Sequence, residues 1–289
     1  MIVVILAILF AMILIGFPIA FAIGVVAWFY MLLSDVPMIV LAQRITTGPD
    51  SWVLLAMPLF VLAGLLMNDT GISSRILRFA EAMVGHFKGG LAMVNVLASM
   101  LFGGVSGSSV ADTAALGSIL IPGMTKKGYT PEISAAITSS SASIGIVIPP
   151  SIPMILYGSI TGVSVGALFV AGIIPGILIG IAQLIVVVTL ARRYDWGAVE
   201  TFSWRKLGVT AVEGAPGLLM PAIIIGGIVS GAFTPTEAGA VAVVYGVVVS
   251  VFFFRALTFR AFYRALVNAG TLTAVVMIII STSYAFGWV

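Results

Sequence analysis

From Val163 to Leu190 the chain runs for 28 residues without one charged side chain. As an α-helix that stretch reaches about 42 Å, more than the roughly 30 Å of a bilayer's hydrocarbon core. A helix that is apolar on every side has no wet face to offer a soluble fold. Met1 to Leu33, Ser51 to Met67 and Leu272 onward repeat the signal. Over the whole chain 8% of residues are charged and 61% are hydrophobic, where a soluble domain carries roughly 25% charge. Disorder needs the opposite balance, and a soluble fold would expose large sticky patches. The apolar runs are continuous instead of alternating, which excludes a membrane β-barrel. The fold class is therefore an all-α polytopic membrane protein, with the lipid bilayer as its solvent.

The remaining totals remove further classes. There is no cysteine and one histidine, His86, so disulfides, thiolate metal sites and histidine clusters are excluded. The net charge of +3 fits the basic bias of cytoplasmic loops, not nucleic-acid binding.

Along the chain, Met1 to Leu33 is broken only by Gly16-Phe17-Pro18. It has neither a basic n-region nor a small-residue cleavage site, so it reads as an uncleaved first span. An irregular or interfacial stretch with Asp35, Arg44 and Asp50 leads to a second span, Ser51 to Met67. Residues 72–86 space Arg75, Arg78 and Glu81 among apolar positions, as a surface arm helix would. After the long helix 163–190, with a kink expected at Pro175-Gly176, a polar loop is expected over 191–211. Gly217 to Ser230 lies in another span. Thr234-Pro235-Thr236-Glu237 is a capping box that starts a helix to about Phe254. Arg255, Arg260 and Arg264 then mark a short amphipathic piece.

Two segments break the pattern. In 89–124, the limbs Leu91–Phe102 and Val110–Met124 flank the polar run Gly103 to Ser109. Limbs of about 18 and 22 Å are too short to span, so a re-entrant hairpin is expected with its tip in the membrane. Over 131–160, Thr130 can cap a helix from Pro131 to Ile148, which runs into Pro149-Pro150-Ser151-Ile152-Pro153. That crossing reads as two half-helices around an unwound middle. With the N-terminus placed in the cytoplasm, twelve of the 13 basic residues fall on the inner side, Arg44 being the exception.

Both breaks are rich in oxygen. At the hairpin tip Ser106, Ser108 and Ser109 add hydroxyls to freed carbonyls, an environment suited to Na⁺, and half-helix N-termini suit anions. Small residues there also serve close helix packing. Asp112 is an intramembrane carboxylate, a functional candidate that could equally cap the second limb. Thr138 to Gly145 carries hydroxyls and small residues into the proline break, which frees carbonyls near Gly145 to Ile148. Paired broken elements of this kind point to a secondary-transporter site, and no phosphate-binding P-loop occurs. An enzyme has less support. Gly104-Val105-Ser106-Gly107 matches the G-x-S-G string of rhomboid-like intramembrane proteases, but His86, the only histidine, lies on the expected surface helix, far from a mid-membrane serine.

The run Gly104 to Gly117, with Ile121-Pro122-Gly123-Met124, Gly128-Tyr129 and Gly145 through Pro153, resembles the large membrane subunit of tripartite ATP-independent periplasmic (TRAP) transporters, the DctM-like permeases. Phe233 to Ala238 and Ala285-Phe286-Gly287-Trp288 are similar to the second half of the same family. The resemblance implies a Na⁺-coupled importer of small organic anions, of the C4-dicarboxylate, keto acid or sugar acid class, in a bacterial inner membrane. It implies two partners, a periplasmic substrate-binding protein and a small four-helix membrane subunit, and an elevator architecture of inverted repeats. By motif position it implies a Na⁺ site at Ser106, Ser109, Gly145, Ile148 and Pro149. Substrate would lie near Gly107, Ser108, Asp112, Pro150 and Ser151. Residues 1–211 would form the first repeat and 212–289 the start of a second, truncated one. A related anion/Na⁺ symporter without a binding protein, and a non-transporting membrane scaffold, are the other readings.

Overall fold

A computed structural model describes residues 2–198 and 201–288. Positions 199–200 of the expected loop and the apolar end at Val289 lie outside the described residues. Among the described residues every regular element is helical. Five helical stretches among the described residues are long and apolar enough to cross a membrane: Trp52–Asp69, Val165–Arg193, Trp204–Val229, Pro235–Phe253 and Phe259–Trp288. The chain is an all-α polytopic membrane protein, and it divides into two compact units.

The first unit takes residues 1–54 and 270–289. Here the expected single span is two helices, α1 (Ile2–Leu14) and α2 (Ile19–Leu33). Gly16 adopts φ +95° and the Phe17 amide donates to Met12 O at 3.0 Å, so the chain turns where a kink would have let it continue. Ile5 and Leu9 are buried against Ala22 and Val26, the pairing of a helix folded back on its predecessor. At about 20 and 22 Å neither matches the bilayer core alone. Helix α3 (Met38–Thr47) has no buried residue, and its Arg44 guanidinium stands 5.7 Å from the Trp288 ring.

The second unit, Leu55–Ala269, is arranged around α6 (Gly90–Ser106), which is buried along nearly its whole length. Around it lie α4 (Ala56–Asp69), α5 (Ile72–Val84), α7 (Ser109–Lys126), α8 (Pro131–Ala142), α10 (Val165–Arg193) and α11 (Trp204–Val229). In a membrane, burying apolar surface between helices gains little over lipid, so close packing of small residues must hold such a bundle. The arm helix α5 is amphipathic as expected, with Ile72, Ile76 and Ala80 inward. Its Arg78 pairs with Glu213 of α11 at 2.9 Å.

Several boundaries differ from expectation. The hairpin limbs are 17 and 18 residues long, about 26 and 27 Å, because the helices absorb most of the polar run. Helix α8 stops at Ala142 and tightens into a 3₁₀ turn, Ser143–Ile146, before the prolines. Helix α11 starts at Trp204, capped by Ser203, so the last part of the expected loop is helix and position 211/212 falls inside it. Of the arginine-bearing piece, Arg260 and Arg264 share one helix with the final apolar run, α13 (Phe259–Trp288), while Arg255 precedes it. The capping box holds: the Thr234 amide donates to Glu237 Oε2 at 2.8 Å, and α12 (Pro235–Val248) follows, ending in a wider π turn.

Candidate functional site

Helix α6 ends because Gly107 takes φ +61°, its amide closing back on Gly103 O at 2.9 Å. Ser108 then extends, and its hydroxyl accepts from the Ala111 amide at 3.4 Å to cap α7. The two-residue joint leaves Ser106 at the end of one limb and Asp112 in the first turn of the other. The Ser106 hydroxyl donates to Asp112 Oδ1 and accepts from the Ser108 amide at 3.2 Å. Asp112 is 0% exposed, and its Oδ2 has no hydrogen-bond partner.

The broken helix approaches this joint along backbone. Past the 3₁₀ turn the amides of Val147 and Ile148 both donate to Ile144 O at 2.9 Å. The cis Pro149-Pro150 pair follows, and Ser151 caps α9 (Ile152–Thr161). The Ile152 amide donates across to Gly107 O at 3.3 Å. Side chains are missing where the two elements touch. A Cβ on Gly103 would sit 2.5 Å from Gly145 Cα, and one on Gly107 would sit 2.6 Å from Pro150 O. A Cβ on Gly145 would overlap Asp112 Oδ2, and one on Gly104 would meet Pro149 O at 3.5 Å.

The structure thus brings together Ser106, Gly107, Asp112, Gly145, Pro149 and Pro150. The amide donors at this junction, Ile152 and Ser108, are already used, which leaves oxygen acceptors: the Asp112 carboxyl, the Ser106 hydroxyl and the carbonyls of Pro149 and Pro150. No lysine or arginine pairs with Asp112 among the described residues. A buried carboxylate with an unsatisfied oxygen is costly unless a cation or a proton joins it. Na⁺, a hard cation that takes oxygen ligands, fits such a donor set.

Other expected residues are placed differently. Ser109 is half-buried, its carbonyl accepting from the Thr113 hydroxyl at 2.8 Å, and its hydroxyl is not part of the Ser106–Asp112 pair. Ile148 directs its side chain at Gly176 of α10, leaving only its carbonyl for an ion. The Ser151 hydroxyl donates to Ile146 O at 2.6 Å and is fully buried; the Ser108 hydroxyl is engaged in its cap. Both are structural in this conformation. His86, past the end of α5, packs its ring on Phe87 and Phe202, with centroids 4.0 and 4.9 Å away.

Sequence reasoning missed one cluster. Asn95 Nδ2 donates to Thr138 Oγ1 at 2.7 Å, and the Ser141 hydroxyl lies 3.1 Å from Asn95 Oδ1. Ser99 donates to Ser141 at 2.9 Å, and all four side chains are buried. This network ties α6 to α8 one to three turns below the tip. Its signal was an asparagine inside an apolar limb, where a polar side chain needs a partner on a neighbouring helix.

A family profile described as "Tripartite ATP-independent periplasmic transporter, DctM component" matches residues 6–289. The chain is 43% identical over 249 residues to the C4-dicarboxylate TRAP transporter large permease protein DctM of Pseudomonas aeruginosa, covering 86% of this chain and 58% of that one. It is 39% identical over 275 residues to the sialic acid TRAP transporter large permease protein SiaM of Vibrio cholerae (95% and 64%). It is 40% identical over 277 residues to the 2,3-diketo-L-gulonate TRAP transporter large permease protein YiaN of Escherichia coli (95% and 65%). The chain therefore spans roughly three-fifths of the length of these relatives.

Proposed function

The chain belongs to the DctM component family of tripartite ATP-independent periplasmic transporters, and from that premise we propose that it serves as the large permease of a Na⁺-coupled importer of small organic anions. The observation that carries the reading is the unpartnered Oδ2 of buried Asp112 where the hairpin tip meets the carbonyls of the proline break. Ser106, Gly145, Ile148 and Pro149 would supply hydroxyl and carbonyl oxygens to Na⁺, with Ser109 completing the set. Asp112 would balance the ion's charge through its pairing with Ser106. Substrate would sit beside the same tip, against Gly107, Ser108, Pro150 and Ser151, so that the ion fixes the backbone on which the anion rests.

Relatives named for C4-dicarboxylates, sialic acid and diketogulonate favour carboxylate-bearing substrates. The same relatives favour a tripartite assembly with a small membrane subunit and a periplasmic binding protein. The Asn95 network supports movement of hairpin and broken helix as one body, as an elevator requires.

The test is uptake into proteoliposomes holding this permease with a small membrane subunit and a binding protein. A Na⁺ gradient should drive uptake and a K⁺ gradient should not. Ser106→Ala and Asp112→Asn should each weaken the Na⁺ dependence. Unchanged Na⁺ activation in both variants refutes the site. Uptake that proceeds equally without the binding protein points to the simpler symporter, and absence of Na⁺ binding by the purified chain points to a scaffold.

A further inference from the structure

Helix α10 carries two polar side chains ahead of its closing arginines, Gln183 and Thr189. Thr189 is satisfied within the helix, donating to Ile185 O at 2.9 Å. Gln183 reaches out of it. Its Nε2 donates to the Ser140 carbonyl of α8 at 2.9 Å. That carbonyl lies in the last turn of α8, where the regular ladder of carbonyl bonds runs out. It also accepts from the Ser143 hydroxyl at 2.6 Å, a donor of the 3₁₀ turn itself. Of these two donors only Gln183 comes from another helix.

The same edge of α10 meets the unwound middle of the broken helix. A Cβ on Gly172 would sit 2.5 Å from Val147 O, and one on Gly176 would sit 2.5 Å from Ile148 Cγ1 and 3.4 Å from Ile148 N. Gly180 faces Met100 of α6 as closely. Residues three and four apart share a helix face, so Gly172, Gly176, Gly180 and Gln183 form one edge. Its glycines press on the backbone after the 3₁₀ turn, and its amide holds the backbone before it. The turn Ser143–Ile146, with Gly145 inside, is thus fixed from both ends by one helix. Gln183 and Ser140 open onto a cavity of about 280 Å³ whose other lining residues, among them Val96, Ile137 and Val187, are apolar. No polar side chain of that lining could take over the bond. Within a membrane span there is no bulk water to replace it either.

We propose that Gln183 is a positioning residue for the Na⁺ site: by holding the Ser140 carbonyl it sets the turn that presents Gly145 and Ile148 to the ion. It touches neither the ion nor the substrate. The proposal rests on the Na⁺ reading given above, and it adds a residue from a helix outside both broken elements. An amide that served only as glue between two helices would add stability and leave ion affinity unchanged.

The experiment uses the purified chain in detergent, with K⁺ replaced stepwise by Na⁺ at constant ionic strength, for the wild type, Gln183→Met and Thr189→Val. Methionine matches glutamine in length and suits a helix, so the first variant should fold. Thr189→Val removes a polar group of the same helix whose bond is internal. Two quantities are read: the Na⁺ concentration giving half of the rise in unfolding midpoint, and amide hydrogen exchange over residues 143–148 without Na⁺. Gln183→Met should need about threefold more Na⁺, the weight of part of one neutral hydrogen bond. Its amides over 143–148 should exchange about threefold faster. Thr189→Val should match the wild type in both. If Gln183→Met lowers the midpoint but keeps the wild-type Na⁺ requirement, or if Thr189→Val raises that requirement as much, the positioning role is refuted. A wild type with no Na⁺ response refutes the Na⁺ reading instead, and the exchange over 143–148 then decides separately whether Gln183 holds the turn.

Discussion

Gly103→Ala tests the contact on which the whole junction depends. The added methyl would lie 2.5 Å from Gly145 Cα and 3.2 Å from Gly145 N. Both are backbone atoms, so no rotamer change relieves the clash. Ordinary contact begins near 3.4 Å, so the end of α6 and the 3₁₀ turn after α8 must separate by about 1 Å. Overpacking of this kind costs about 1–3 kcal/mol, and the better helix propensity of alanine returns about 0.5–1. The net loss should be about 0.5–2 kcal/mol. Gly226→Ala is the control, because nothing lies within 4 Å of a Cβ at that helical position. The assay is thermal unfolding in detergent, with K⁺ replaced stepwise by Na⁺. At Na⁺ tenfold above its dissociation constant, binding adds about 1.4 kcal/mol, and a tenfold weaker site leaves about 0.4. Gly103→Ala should lower the midpoint without Na⁺ and lose most of the Na⁺ increment, since the oxygens straddle the opened gap. If it matches Gly226→Ala in both quantities, the close approach of the two breaks is not what builds the site.

Asn95→Leu keeps the volume but removes the bonds from α6 to Thr138 and Ser141, whose hydroxyls keep backbone acceptors within α8; in a membrane interior this should cost about 0.5–2 kcal/mol by equilibrium unfolding. The Tyr129 phenol is raised to about 12 by burial, so its contribution should be intact below the usual value near 10 and fall away between about pH 10 and 12. Tyr129→Phe should flatten that part of the stability profile. Arg78→Ala should shift stability by no more than about 1 kcal/mol, because the pair with Glu213 is well exposed.

Local signals in the sequence located the elements that local chemistry decides. Thr130 with Pro131, and Thr234 through Glu237, are capped helix starts whose hydrogen bonds are intramotif. The polar run at Gly103 to Ser109 likewise contained its own turn, since only glycine takes the φ of Gly107 without strain. Gly16-Phe17-Pro18 was ambiguous for a physical reason. A glycine-proline break permits either a kink or a reversal, and packing between Ile5, Leu9, Ala22 and Val26 selects the reversal. The end of α8 was misplaced because tightening begins six residues before the first proline. Within the candidate site, Ser106 and Asp112 could be named, but not their direct pairing. Which glycine faces which, Gly103 on Gly145 and Gly107 on Pro150, is a long-range fit that no single segment records. Ser151 could be named too, but not the bond its hydroxyl donates to Ile146 O.

The fit between the hairpin and the broken helix bears on how such a chain can be recombined. Asn95 needs Thr138 and Ser141, Gly103 needs Gly145, and the Gly107 carbonyl needs the Ile152 amide. Each dependence crosses between the two elements, and none stays within one. A chimera that borrows the hairpin alone from a relative would inherit half of every pair. The smallest exchangeable module is therefore the block from Gly89 to Gly162, and grafts within this family should be cut at its ends.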